Sequence, residues 1–330
     1  MSLIKLARLG QRLGLAGLLA LSPGLVAAEN ADNYPSRPIT IVVPFAPGGS
    51  NDTLARLVGR DLEKKWRQPV VIDNRTGAGG NLGALAVARS EPDGYNLVMA
   101  SIGTHAVNPF LYKKMPYDAV KDFQPVTLVA KVDLVLVVHP SLPIHSVQEL
   151  IDYSKKNPGQ LNYASGGNGS SQHLATELFK HLTGADMTHV PYKGSGNAIA
   201  DLLGGQVPVM IADMPLVAAH IREGKLRALA VGSARRSAAI DVPTLDEAGV
   251  KGYEAYAWYG LFARAGTPRP IVDKLQTEIA GILHDPGNQA FLRELGAVPS
   301  GNTPDEFAAF QKAEMDKWGE IVRPLGMTLD

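Results

Sequence analysis

The sequence predicts an α/β chain of two lobes, each a mainly parallel sheet flanked by helices, joined by a two-strand hinge. Three observations predict it. Strand-like and helix-like segments alternate through most of the 330 residues, the pattern of parallel strands covered by helices on both faces. Glycine-rich turns recur where strands pass into helices. The last third then changes character, with one more strand at 255–262 followed by long helices. The chain is therefore read as leaving its first lobe after about Val132, building a second, and returning near Ala255. This assigns residues 29–132 and 255–330 to lobe one and 133–254 to lobe two, and a chain of this length favours two lobes over one.

Taken in order, residues 1–28 read as a secretory leader. Lys5, Arg8 and Arg12 precede an apolar run over 13–26, and Val26-Ala27-Ala28 offers small residues for cleavage near Ala28. The run is shorter than the ~20 residues a spanning helix needs, and Pro23 and Gly24 interrupt it. The expectation is a soluble periplasmic protein. Cysteine is absent from the chain, which excludes a lipid anchor on a cysteine, disulfides, thiol nucleophiles and thiolate metal sites. Removing three basic residues leaves 29 Lys+Arg from 32, against 32 Asp+Glu, a net charge of −3. That balance provides no electrostatic footprint for nucleic acid or an anionic membrane.

The strand at 39–43 (ITIVV) ends in Pro44. A turn at Pro47, Gly48 and Gly49 follows, and a helix over 51–66 carries Leu54, Leu57, Val58, Leu62 and Trp66 on one face. Residues 70–73 form a strand, followed by Gly77-Ala78-Gly79-Gly80 and a helix over 82–89, and 96–101 is another strand. The apolar run 134–139 is too short and too β-branched to be a helix. Residues 146–156 are helical, with Ser146 and Glu149 matching a capping box. Strands at 161–164, 188–190, 207–212 and 226–232 alternate with helices at 172–183, 198–203 and 216–222, and Gly184 and Gly224 stop two of these helices. After the strand at 255–262, helices cover 270–283 and 304–321.

Three strand-to-helix turns carry the candidate chemistry: Pro47-Gly48-Gly49 with Ser50, Asn51 and Asp52; residues 163–171 (YASGGNGSS); and residues 191–197 (PYKGSGN). Glycine lets backbone approach a ligand closely, and the first turn of a helix holds unpaired N–H donors with partial positive charge. Such turns receive a carboxylate without lysine or arginine. In open parallel sheets ligands bind beyond the carboxyl ends of strands, where all three turns emerge. With one turn on the first lobe and two on the second, they face each other across a cleft. A β-carbon at Gly49 is expected to obstruct a ligand carboxylate or distort its turn. Asp52 fits a helix-dipole partner in the first turn, and it equally fits a group that orients waters or accepts a ligand ammonium or hydroxyl. Asp213, before Met214-Pro215, has the same two readings, as a cap or as a ligand group. Lys193 fits a second ligand carboxylate or an ordinary exposed loop.

Competing motifs are absent or incomplete. Leu82 stands where the dinucleotide fingerprint over Gly77, Gly79 and Gly83 requires glycine, no P-loop occurs, and neither Ser165 nor Ser170 sits in Gly-x-Ser-x-Gly. The eight histidines show no metal-ligand spacing, and His173 reads as a polar residue of a first helical turn.

At these motifs the chain resembles the Bug-type extracytoplasmic solute receptors of tripartite tricarboxylate transporters. The resemblance is carried by YPSRPITIVVPFAPGGSNDTLAR from Tyr34, VVIDNRTGAGGNLGA from Val70, EPDGYNLVMAS from Glu91, SGGNGSSQHLATELF from Ser165, HVPYKGSGNAIADLLGGQV from His189 and REGKLRALAV from Arg222. It implies a two-lobed periplasmic-binding-protein fold of type II-like kind, closing on a carboxylate-bearing metabolite, without catalysis or cofactor. It implies delivery to large and small integral membrane subunits by a monomeric receptor. Carried over, the ligand residues are Phe45, Pro47, Gly48, Gly49, Asp52, Ser165, Gly166, Gly167 and Asn168, with Ser101, Tyr192, Lys193 and Asp213 as further transfers. Met214 departs from the polar residue, often asparagine, found there in many relatives, which bears on the polarity of that wall. The alternative is an exported hydrolase or lyase on a similar scaffold, which would need a nucleophile, base or metal at a cleft.

Overall fold

The computed structural model describes residues 31–324, 326, 328 and 329; the predicted leader and its cleavage point lie outside the described residues. The first layer is a parallel trio. β1 (Ile39–Val43) lies between β2 (Val70–Asn74) and β3 (Asn96–Ser101), and helix α1 (Ser50–Trp66) joins β1 to β2. Leu54, Leu57, Val58 and Leu62 recur at helical spacing and are buried in the core, as an amphipathic helix on a sheet requires. A short helix, α2 (Asn81–Ala88), leads to β3. A π turn over Gly103–Val107 and α3 (Asn108–Leu111) follow. The π turn buries His105 in stacking contact with Phe262.

Strand β4 (Phe123–Val138) is longer than the apolar run marks it. Its start, from Phe123 to Asp133, pairs with the returning strand, and its end, from Leu134 to Val138, pairs with strands of the second half. The early part escapes a periodicity reading because Gln124, Pro125, Thr127 and Lys131 interrupt the apolar pattern, and two register shifts interrupt the ladder.

The second half repeats the first. After α4 (Val147–Lys156), strand β5 (Asn162–Ser165) lies parallel between β6 (Thr188–Pro191) and β7 (Val209–Asp213). Helices α5 (Ser171–Thr183), α6 (Ser195–Leu203) and α7 (Met214–Arg222) connect them, and β8 (Arg227–Val231) joins the end of β4. The chain returns as β9 (Tyr256–Arg264), antiparallel to both β3 and β4. It closes with α8 (Arg269–Leu283), α9 (Pro286–Glu294), β10 (Ala297–Pro299) on β4, and α10 (Pro304–Val322). The strand order is β2-β1-β3-β9-β4-β7-β5-β6. Parallel trios form the two wings, and antiparallel β9 and β4 join them. This is the two-lobed α/β architecture.

Two apolar clusters fill the molecule. The smaller, under α6 and α7, includes Val135, Val137, Leu202, Met210 and Val217, together with Met214. Met214 is fully buried and packs against Gly296. Its apolar character therefore belongs to this core, and it lines neither of the cavities described next.

Candidate functional site

Of the three helices that start at the glycine turns, two begin without a side-chain cap, as α7 and α8 also do, and one begins with a cap. α10 opens with a reciprocal Thr303–Glu306 capping box, and Ser146 caps α4 through the Glu149 N–H. By contrast α1 and α6 start after Gly49 and Gly194 with no side-chain cap, which leaves backbone donors for another acceptor. α5 starts at Ser170, whose hydroxyl accepts the His173 N–H.

These three N-termini converge. The first turn touches the third directly, with the Ala46 N–H donating to the Lys193 carbonyl at 3.2 Å. Between them lies a cavity of about 20 Å³, walled by Gly49, Ser50 and Asn51 of α1, by Gly166 and the α5 start at Ser170, Ser171 and Gln172, and by Ser195 of α6. Phe45, Ser101 and Tyr259 complete it. The hydroxyl of Ser101 is buried there without a hydrogen-bond partner, and that of Ser50 lies beside Asp213 and Tyr259. No lysine or arginine lines the cavity. It admits a group about the size of a water molecule, and it is polar and biased toward an anion by the helix starts.

Phe45 and Gly166 also line an adjoining cleft of about 470 Å³. One wall is the turn Gly77–Gly80 with Tyr112; the other is Gly167, Asn168, Tyr192 and the exposed Lys193. A wider groove of about 910 Å³ runs along the outer face of α1, lined by Arg56, Arg60 and Phe291 among others. None of the sequence-predicted ligand residues lines it, and no helix starts there.

The thirteen predicted residues divide into those that face the cavities and those that hold the turns. Phe45, Gly49, Ser101, Gly166, Gly167, Asn168, Tyr192 and Lys193 face one or both. Pro47 and Gly48 are exposed outside them. The Gly48 N–H donates to Asp52 Oδ2 at 3.0 Å, and the same carboxylate accepts Arg56 Nε at 2.9 Å and Asn74 Nδ2 at 3.1 Å. Asp52 thus clamps its own turn. Burial opposes its charge, but the Arg56, Gly48 and Asn74 bonds outweigh it and hold the carboxyl below its usual range. Gly49 has φ −87° and open space for a β-carbon, with nothing nearer than 4.0 Å; the expectation that a β-carbon distorts this turn is corrected. Positive φ and a tight fit fall instead on Gly167, at φ +125°.

Ser165 is fully buried. Its Oγ accepts the Gly167 N–H at 3.1 Å and contacts His189 Nε2 at 2.6 Å. The pair has the spacing of a nucleophile and its base. However, Ser165 lines neither cavity, and burial lowers the His189 pKa to about 3, so the imidazole is a poor base at neutral pH. Asp213 ends β7 and occupies the N-cap position of α7 without capping it. Instead Oδ1 accepts Gln172 Nε2 at 2.5 Å and Oδ2 bonds the Tyr259 hydroxyl.

Ser50, Asn51, Ser170, Ser171, Gln172, Ser195, Tyr259 and the Gly77–Gly80 turn with Tyr112 face the cavities and were not singled out as ligand groups. Most lie inside the glycine-turn segments, one or two residues past the positions chosen. Tyr259 had no local signal: only the pairing of β9 with β3, which sets it opposite Ser101, brings it here.

Comparison with known proteins agrees with this geometry. Residues 54–327 match the TctC family, described as the tripartite tricarboxylate transporter family receptor. The chain belongs to this family. The TctC-family chain is 41% identical to protein BugT of Bordetella pertussis over 319 residues, covering 96% of this chain and 98% of that protein. It superposes with TM-score 0.87 and 41% identity on an R. palustris protein solved with adipate, over 90% of this chain and 100% of the other. MatC of Rhodopseudomonas palustris, solved with malate, gives TM-score 0.84 at 36% identity, over 88% of this chain and 100% of that one. The periplasmic binding protein BugD gives 0.86 at 36%, over 90% and 100%. The TctC-family relatives are thus solute-binding receptors of the same architecture.

Proposed function

We propose that this chain is a periplasmic receptor that closes its lobes on a small carboxylate-bearing metabolite and delivers it to the large and small membrane subunits of a tripartite tricarboxylate-type transporter. The observation that carries the reading is the convergence of three helix N-termini on a polar, cation-free cavity lined by the unpartnered Ser101 hydroxyl. A carboxylate tip placed there receives backbone N–H donors and hydroxyls, and the remainder of the molecule extends into the adjoining cleft toward Tyr192 and Lys193. The relatives solved with adipate and malate support a short dicarboxylate as the first compound to test. The function needs no chemistry on the ligand, and neither Ser165 nor His189 lines the cavity or the cleft.

The hinge in this reading lies where β4 passes from its β9 partner to its β7 partner, at Asp133 and Leu134, and where β9 begins at Tyr256. Residues 1–28 act as the export leader. The test is calorimetric titration of unfolded and refolded, ligand-stripped protein with adipate and malate, alongside Gly103→Ala. A β-carbon at Gly103 would sit 2.5 Å from the Gly169 carbonyl oxygen on the opposite lobe. It should obstruct closure and weaken binding roughly ten- to hundred-fold, with circular dichroism checking that the variant still folds. Unaltered affinity in Gly103→Ala would overturn closure at this contact, and failure to bind any small carboxylate would overturn the receptor reading.

A further inference from the structure

Asp213 is fully buried between the two halves, and no cation among the described residues is paired with it. β9 presents Tyr259, α5 presents Gln172, and α1 presents Ser50. β4 faces it with Leu134, its strand partner, and α7 begins with the apolar Met214. The hydroxyls of Ser50 and Ser171 lie beside Tyr259. Ser50, Ser171, Gln172 and Tyr259 all line the small cavity, so Asp213 stands directly behind the wall that meets the ligand. Burial without a cation pushes its carboxyl above the usual range, against the pull of its Ser50, Tyr259 and Gln172 contacts.

The protonation state of Asp213 decides which way Tyr259 points. An ionised Asp213 accepts the Tyr259 proton, leaving lone pairs toward the cavity that repel a carboxylate. A protonated Asp213 donates from Oδ2 to the Tyr259 oxygen, and the Tyr259 proton is then free to turn to the ligand. We propose that Asp213 serves as a neutral positioning residue that makes Tyr259 a hydrogen-bond donor to the ligand carboxylate, so that ligand is bound together with a proton. This rests on reading the cavity as a carboxylate site. The proton comes from solvent and resides on Asp213, and no bond of the ligand changes.

The experiment follows binding of adipate and malate from about pH 7 to 9, where both acids stay ionised, in buffers of different ionisation heat. Wild type should lose affinity as pH rises, by up to about tenfold per pH unit for one linked proton, and its heats should report proton uptake. Asp213→Asn retains both contacts, since its oxygen accepts from Gln172 and its amide donates to Tyr259. It should bind with affinity that no longer depends on pH, whereas Asp213→Ala should bind weakly. Tyr259→Phe should bind roughly ten- to hundred-fold more weakly. Wild-type affinity that does not fall anywhere as pH rises across the range, or an unchanged pH dependence in Asp213→Asn, would overturn the proposal.

A ligand-free readout separates this from the receptor reading. A carboxyl with a raised folded pKa costs stability as pH rises above its unfolded value of 3.8. Asp213→Asn should therefore be more heat-stable than wild type at neutral pH, with the gap closing toward pH 3.8. If Asp213→Asn were instead destabilised at neutral pH, Asp213 would be a charged partner and the proposal would fail. If the gap appears but neither acid binds, the carboxylate-site reading falls, and with it the assignment of Tyr259.

Discussion

The glycine turn at 47–49 and the one at 165–169 face each other across the same cavity, yet opposite chemistry holds them in shape. The first uses a charge: Asp52 takes the Gly48 N–H, Arg56 and Asn74 at once. The second is held by neutral groups. Ser165 accepts the Gly167 N–H and contacts His189, which stacks between Tyr163 and His173 with ring centroids 4.9 and 4.1 Å away. His173 Nδ1 in turn accepts the Gly169 N–H at 3.2 Å. The difference follows from solvent. Gly48 and the Arg56 side chain are exposed, so a carboxylate there keeps a cation and water nearby. The second turn is buried, where an uncompensated charge is costly. In both turns the conspicuous polar side chain is spent on holding the loop, and its neighbours are left to face the cavity.

The comparison breaks most sharply at glycine. Gly167→Ala meets both a φ of +125° and the Tyr192 carbonyl oxygen at 2.7 Å, whereas Gly48→Ala meets φ +85° in open space. The first should cost about 3 kcal/mol or more and the second about 1 kcal/mol, as measured by urea unfolding. Equal costs would show that the two turns are equally constrained.

Asp52→Ala comes next, at about 1–3 kcal/mol, because it removes a charged acceptor from three donors. The folded pKa of Asp52 is lowered by its Arg56, Gly48 and Asn74 bonds, despite burial. Its contribution is thus complete above the unfolded value of 3.8 and lost as pH falls through the folded value. The stability gap between variant and wild type should persist at neutral pH and shrink only in strong acid.

The neutral turn should respond to milder acid. Burial lowers the pKa of His173 to about 4, with Lys180 adding to the shift, and that of His189 to about 3. Both are neutral when folded and protonate in the unfolded chain near 6.5. Their linked stability is complete above that value and falls progressively as pH drops toward 4 and then 3. His189→Gln should lower stability at pH 7 and flatten its pH dependence between these limits, by thermal melts across the range. A slope identical to wild type would remove His189 from this account. The smallest effect belongs to Lys193→Ala. An exposed cation at the cleft mouth is worth about 0–1 kcal/mol to a distal carboxylate, and titration at two ionic strengths should show that contribution disappearing with salt.

Much of this arrangement was legible in the sequence because it is local. The alternation of strands and helices, the three glycine turns and the capped start of α4 all follow from residues within one turn of each other. What escaped depends on distant pairing. Residues from Phe123 to Asp133 read as irregular because their partner, β9, lies far along the chain, and Tyr259 reaches the cavity only through that partnership. Asp52 and Ser165 were conspicuous for the right chemistry in the wrong place, since composition cannot say whether a polar side chain faces a ligand or its own backbone.

The shared strand β4 also sets an order of assembly. Strands β5, β6 and β7 come from one stretch, Asn162 to Asp213, and close on the end of β4 that immediately precedes them. The first sheet must wait: β3 has its second partner in β9, which begins only at Tyr256. When the chain emerges from its N-terminus, the apolar edge from Leu97 to Ser101 therefore stays open until nearly four-fifths of the chain is out. Non-local closure of this kind is slow, and an unpaired strand edge invites association. Truncation before β9 should accordingly yield an aggregating chain in which β3 lacks that partner. The intact protein completes the first-lobe wall of its cleft only after the second lobe can already stand.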